Sequence, residues 1–274
     1  MQKMYLTLKE IKVRTEDFKV ICLRSLLFLS ITLISIGSSG FEMVNVPSGQ
    51  LLPFWMSPVS NSKEKSNLKI EVPAFQAMKY AVTVEQYRIF LEKNPNWNSK
   101  QVSSLFADKT YLDSWSLQLK KRSSPVTNVS WFAARAFCDS QGMRLPTVNE
   151  WEYMAAASEG KKDANKDEKF LRRILDWYGE PRGEALKSVG SIYENLYGLS
   201  DMHGLIWEWV EDFNSTFVTG ESREDSSFNK NMFCGAGAMS GADKENYAAF
   251  MRFAFRSSLM GNSSAWNLGF RCVK

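Results

Sequence analysis

Seven side chains in the second half of this 274-residue chain have types and spacings that could do chemistry. Cys234 opens the run Cys234-Gly235-Ala236-Gly237-Ala238. It is either a redox thiol, activated if Arg252 or Arg256 lies close, or a small residue in a tight backbone passage. Glu208 stands between Trp207 and Trp209. An acid so placed is a general base, a metal ligand, or one half of a buried pair with an arginine such as Arg271. Arg252 and Arg256 are four apart, so on a helix they share a face and meet either an anionic substrate or core-edge carboxylates. Tyr247 is a relay candidate by position, and Trp207 a candidate ring for substrate contact. His203 is the only histidine. A multi-histidine metal site within the chain is therefore excluded, and any Ser-His-Asp triad has to run through His203. The Gly204 that follows reads His203 as an exposed turn residue or, failing that, a catalytic one.

Residues 25–40 carry no charge and hold an apolar core of about a dozen residues, preceded by Lys19 and Arg24 and followed by Gly37-Ser38-Ser39-Gly40. That core is short for a membrane span and right for the apolar region of a signal peptide. We expect residues 1–40 to be a leader, the mature chain to be exported to the periplasm or beyond, and no stable membrane span to remain. The formal charge of +4 then shrinks. Residues 1–40 hold six of the 34 Lys/Arg and three of the 30 Asp/Glu, leaving 28 against 27. No basic run interleaved with aromatics exists, so no nucleic-acid partner is expected. Cys22 falls in the leader, which leaves Cys138, Cys234 and Cys272. In an oxidising compartment one pair and one free thiol is the simplest arrangement, and spacing does not choose among the three pairings.

The elements that must position these groups are partly legible. Residues 43–49 and 69–78 read as extended, the latter broken by Pro73. Thr83 with Gln86 makes a capping box for a helix through Leu91, with Val84, Tyr87 and Leu91 on one face. Ser130 caps a helix from Trp131 that Gly142 ends, and Thr147 with Glu150 caps another from Trp151 to Ala157. Residues 158–169 read as a charged loop, with order resuming at Trp177-Tyr178-Gly179. Residues 205–210 read as a short strand and 213–231 as a surface loop. Nine Trp in one chain fit a loop-rich fold in which large rings replace regular packing, or an aromatic-lined cleft.

The ordered motifs resemble the formylglycine-generating enzyme (sulfatase-modifying factor) family. They are Tyr80-Ala81-Val82-Thr83, Pro125-Val126-Thr127-Asn128-Val129-Ser130-Trp131, Gly142-Met143-Arg144-Leu145-Pro146-Thr147 with Glu150-Trp151-Glu152-Tyr153, Tyr197-Gly198-Leu199, Trp207-Glu208-Trp209 and Gly269-Phe270-Arg271-Cys272. The resemblance implies one domain over residues 41–274, an α/β (α+β) fold of low regular secondary structure related to C-type lectins. It also implies that Cys138 and Cys272 form a disulfide, leaving Cys234 as the lone thiol. Members that make formylglycine hold copper(I) between two cysteines, and these positions fall at about Asp243 and Ala248 here, so copper is not expected. The family's calcium-binding Asn near Trp-Glu-Trp corresponds to Leu205 here, so calcium rests on Glu208 with backbone carbonyls. The block from Cys234 to Arg256 looks like the pyoverdine-maturation branch. The function implied is an exported oxidoreductase acting on a peptide or peptide-derived small molecule, with Cys234, Glu208, Arg252, Arg256 and His203 as catalytic candidates. The alternative is a binding or scaffold module that keeps the fold without chemistry.

Overall fold

The computed structural model describes residues 40–51, 69–181, 186–214 and 244–274, with side chains from 247 onward in the last segment. Cys234 and its Gly/Ala run, and nearly all of the expected 213–231 loop, lie outside the described residues.

The strands come in pairs. β1 (Met43–Val46) runs antiparallel to β4 (Phe75–Met78), with Met43 opposite Met78. β2 (Gly49–Leu51) runs antiparallel to β3 (Ile70–Val72). β5 (Trp207–Glu208) and β6 (Leu268–Gly269) form a short parallel pair. β3 and β4 are the expected extended run, separated at Pro73, which lacks the amide proton a ladder requires.

The C-terminus is built into this frame. Met78 N donates to Cys272 O and Val82 N to Phe270 O, while Gln76 and Lys274 exchange backbone bonds. On its other side Val273 exchanges two bonds with Arg144. A disulfide joins Cys138 to Cys272 across a separation of 134 residues, and both cysteines are fully buried. In the chain-entropy account, closing so long a loop restricts the unfolded chain by up to about 5 kcal/mol.

The helices start where local chemistry dictates. α1 (Val84–Lys93) has the full Thr83–Gln86 capping box and buries Val84, Tyr87, Phe90 and Leu91. After a 3-10 turn at Pro95–Trp97 and a short helix, α2 (Trp115–Gln118), comes α3 (Trp131–Ser140), capped by Ser130. α4 (Val148–Ala155) has the reciprocal Thr147–Glu150 box. The Glu150 carboxylate also takes two 2.7 Å bonds from Arg144, the residue that pairs with Val273. Tyr87, Phe137 and Phe270 pack ring against ring between α1, α3 and the C-terminal segment.

One expectation is corrected in its bounds. Residues 158–167 are the expected loop, but order resumes at Glu168 rather than Trp177, in α5 (Glu168–Gly179), whose N-cap Asp167 accepts from the amides of Lys169 and Phe170. Phe170, Leu171 and Ile174 supply its buried stripe. α6 (Lys244–Ser257) completes the set and packs against α5. Residues 42–274 form one unit of mixed helix and strand with little regular sheet.

Candidate functional site

Of the candidate residues, Glu208, Arg252, Arg256 and His203 converge around Trp151, where α4, α5, α6 and β5 meet. β5 places Glu208 inward and Trp207 outward, the alternation expected of a strand. Glu208 is 5% exposed. Its two oxygens accept from Arg271 Nε and Nη2 at 2.8–3.0 Å and from Trp151 Nε1 at 2.8 Å. Arg271 spends its remaining donors on the carbonyls of Met78, Lys79 and Ser200. Glu208 is therefore the buried-pair alternative, not a free base. Gly269, one residue past the Leu268 that pairs with Trp207, is required here: a Cβ would lie 2.3 Å from the Val126 carbonyl oxygen.

Next along α4, Glu152 collects both arginines of α6. Arg252 Nη2 reaches it at 2.6 Å, Arg252 Nε at 3.1 Å and Arg256 Nη1 at 2.7 Å. The guanidinium groups are buried, at 6% and 7% exposure, and lie over the ring of Trp151. Burial pushes the Glu152 carboxyl up, but the two guanidiniums overcome it and hold its pKa at about 2. Burial disfavours the Arg252 charge, and Glu152 with Tyr178 more than restores it, raising Arg252 above its ordinary value. The pair expected to clamp an anionic substrate is thus engaged by a carboxylate of its own chain.

His203 is in a turn, with Gly204 at φ +97°, but it is not exposed. Its ring lies between Trp151 and Phe170, with Nε2 3.0 Å from the Ala155 carbonyl oxygen. A carbonyl only accepts, so Nε2 carries the proton and Nδ1 is the bare acceptor, which has no hydrogen-bond partner among the described residues. Burial, then the Arg252 charge, push its pKa down to about 3, so the ring is neutral. The expectation of an exposed turn residue is corrected by these neighbours.

Trp207 faces a cleft of about 630 Å³ between α5 and the segments at 204–207 and 266–267. Its ring stacks on Tyr178 at 4.9 Å, meets Trp177 at 5.2 Å and is backed by Phe255 at 4.6 Å. Tyr178 links this wall to the buried charges: its hydroxyl donates to the Ala248 carbonyl oxygen at 3.4 Å and accepts from Arg252 Nη1 at 3.3 Å. Tyr247, at 46% exposure, stands on the surface of α6.

Sequence reasoning did not single out Glu152, Trp177 or Tyr178. Two arginines one turn apart signal a shared acid, but nothing local marks which one, since Glu152 lies 100 residues from Arg252.

The metal sites of the resembled family can be tested against these residues. Ala248, at the position of one copper-binding cysteine, brings a methyl group and is 1% exposed. Asp243 lies outside the described residues. A two-thiolate copper site does not fit this donor set. Glu208 has its oxygens committed to Arg271 and Trp151, and Leu205 offers no side-chain oxygen, so this pair does not fit calcium either.

Residues 37–274 match the sulfatase-modifying factor enzyme 1-like domain. The chain belongs to the sulfatase-modifying factor family. Among this family's curated proteins it is 31% identical over 177 residues to the formylglycine-generating enzyme of Mus musculus, covering 57% of this chain and 45% of that protein. The formylglycine-generating enzyme of Streptomyces coelicolor is 33% identical over 163 residues, covering 54% of this chain and 52% of its own. The inactive C-alpha-formylglycine-generating enzyme 2 of Bos taurus is 32% identical over 165 residues, covering 56% and 51%. The chain thus spans about half the length of the curated relatives it matches. Both active and inactive members of the sulfatase-modifying factor family stand among them. The solved structure of CarF aligns with 86% of this chain and 98% of its own, with a TM-score of 0.47 and 16% identity.

Proposed function

We propose that this chain is an exported oxidoreductase of the formylglycine-generating-enzyme type that acts on a peptide or peptide-derived substrate without a two-cysteine copper site. The observation that carries the reading is the cleft beside Trp207. It has the volume of a small-ligand or short-peptide site, a wall of stacked rings, and a backing of buried ion pairs that fixes the wall. In this reading Glu152, Glu208, Arg252, Arg256 and Arg271 position the wall and α6, and Cys234 is the redox residue. The disulfide supports export, because such bonds persist in oxidising compartments. The likeness of the 234–256 block to the pyoverdine-maturation branch supports a small peptide-derived substrate.

The test is peptide-dependent oxygen uptake by protein recovered from the compartment to which it is exported, together with its metal content. The expected result is uptake without stoichiometric copper, lost in Cys234→Ser. Unchanged uptake in Cys234→Ser removes the thiol from the mechanism, and stoichiometric copper overturns the copper-free reading. Peptide binding with no uptake would leave a binding module in place of an enzyme.

A further inference from the structure

The charges lining the cleft are sorted along α5. Lys169, Arg172 and Arg173 come from its first half, and Asp176 and Glu180 from its end. Trp177 follows Asp176 in sequence, between the two acids, and its ring meets Trp207. This order does nothing for the helix. A helix favours acids at its N-terminus and bases at its C-terminus, and the cleft-facing charges of α5 are placed the other way round. Only Asp167 and Glu168, at the very start, follow the favourable order. Arg173 is neutralised by Glu159 at 2.8 Å and lies over the Tyr193 ring. Lys169, Arg172, Asp176 and Glu180 have no ion-pair partner among the described residues. Lys187 adds a further cation to the lining.

We propose that the cleft binds a short peptide with both termini free, in one polarity: carboxylate toward Lys169 and Arg172, ammonium toward Asp176 and Glu180, and an aromatic side chain against Trp207. The dimensions agree. Arg172 and Glu180 are eight residues apart, about 12 Å along a helix, and an extended peptide of about four residues spans the same length. Complementary charge at both ends fixes direction and register, while the half-buried Trp207 ring supplies contact area. A longer chain threaded through the cleft would place neither terminus against these groups. The proposal rests on the reading of the substrate as a peptide and narrows it to a short, zwitterionic one.

The test is isothermal titration of the whole protein with the tetrapeptide Ala-Phe-Ala-Ala and with its N-acetylated and C-amidated forms. These probes report binding without turnover. The free peptide is expected to bind at least tenfold more tightly than either blocked form. Lys169→Gln with Arg172→Gln should abolish the penalty for amidation and leave that for acetylation. Asp176→Asn with Glu180→Gln should do the reverse, and Trp207→Ala should weaken all three peptides. All of these side chains except Trp207 are exposed on α5, so the variants are expected to fold. Equal binding of free and blocked peptides, no binding of any, or penalties that persist in the variants would overturn the proposal. Oxygen uptake with a longer peptide in the face of such a result would leave the oxidoreductase reading standing and sink only this one.

Discussion

The Arg256 guanidinium lies 4.8 Å over the ring of Trp151, whose Nε1 proton is donated at the same time to Glu208. One indole thus joins two buried ion clusters, Glu152 with Arg252 and Arg256 on one side and Glu208 with Arg271 on the other. The site is held from behind by charges that face each other rather than a ligand, and their removal has distinct consequences.

Glu152→Ala leaves two guanidiniums buried without their carboxylate. Breaking such a pair from one side costs about 3–5 kcal/mol. Urea unfolding should show that loss, and tryptophan emission should report a disturbed environment at Trp151 and Trp207 in whatever folded protein remains.

Glu208→Gln separates a structural role from a catalytic one. With Arg271 left charged and fully buried, we expect a loss of about 3–5 kcal/mol. The double variant Glu208→Leu, Arg271→Met removes both charges and should recover most of it. A Glu208→Gln protein as stable as wild type yet inactive in oxygen uptake would instead return Glu208 to the role of base.

Protein lacking residues 1–40 should show one titratable thiol, Cys234, when denatured without reductant, and three after reduction. Replacing Cys138 and Cys272 together by Ser should lower stability by up to about 5 kcal/mol, read from guanidinium midpoints. Three thiols before reduction would contradict the Cys138–Cys272 bond.

Stability should fall with acid in two stages. The folded pKa of His203 is pushed down to about 3, below its ordinary 6.5, so the unfolded chain takes up a proton first as pH drops below 6.5. The His203 contribution is whole above pH 6.5 and declines toward pH 3, with a slope of at most about 1.4 kcal/mol per pH unit. Glu152 adds a second decline from 4.5 toward its folded value of about 2. As the chain has one histidine, urea midpoints at pH 7.5 and 5.5 isolate the first stage, and His203→Asn should flatten the difference between them.

What the sequence disclosed follows the range of the interaction. The caps at Thr83, Ser130 and Thr147 were legible because each is closed by a residue three positions on. α5 was not, because its stripe of Phe170, Leu171 and Ile174 is short and directly follows the charged stretch 158–169 that reads as a solvated loop. The turn at His203 and Gly204 was legible, but burial of the ring was not: Trp151 and Phe170 come from other helices. Pairing of Cys138 with Cys272 followed from likeness to a family rather than from spacing. The partner of Arg252 and Arg256 was out of reach for the same reason as the disulfide, a separation of a hundred residues or more.

The interleaving of residues 270–274 between β4 and Arg144 also sets a timetable. The β1–β4 pair can form early, but the groove beside it is filled, the Arg271–Glu208 pair closed and the disulfide made only after the last residues have been synthesised. Folding dominated by such distant contacts is slow, because chain entropy is lost before the contacts repay it. In a chain of this topology the groove between β4 and Arg144 stays unfilled until residues 270–274 reach it, so late contacts rather than early ones close the core.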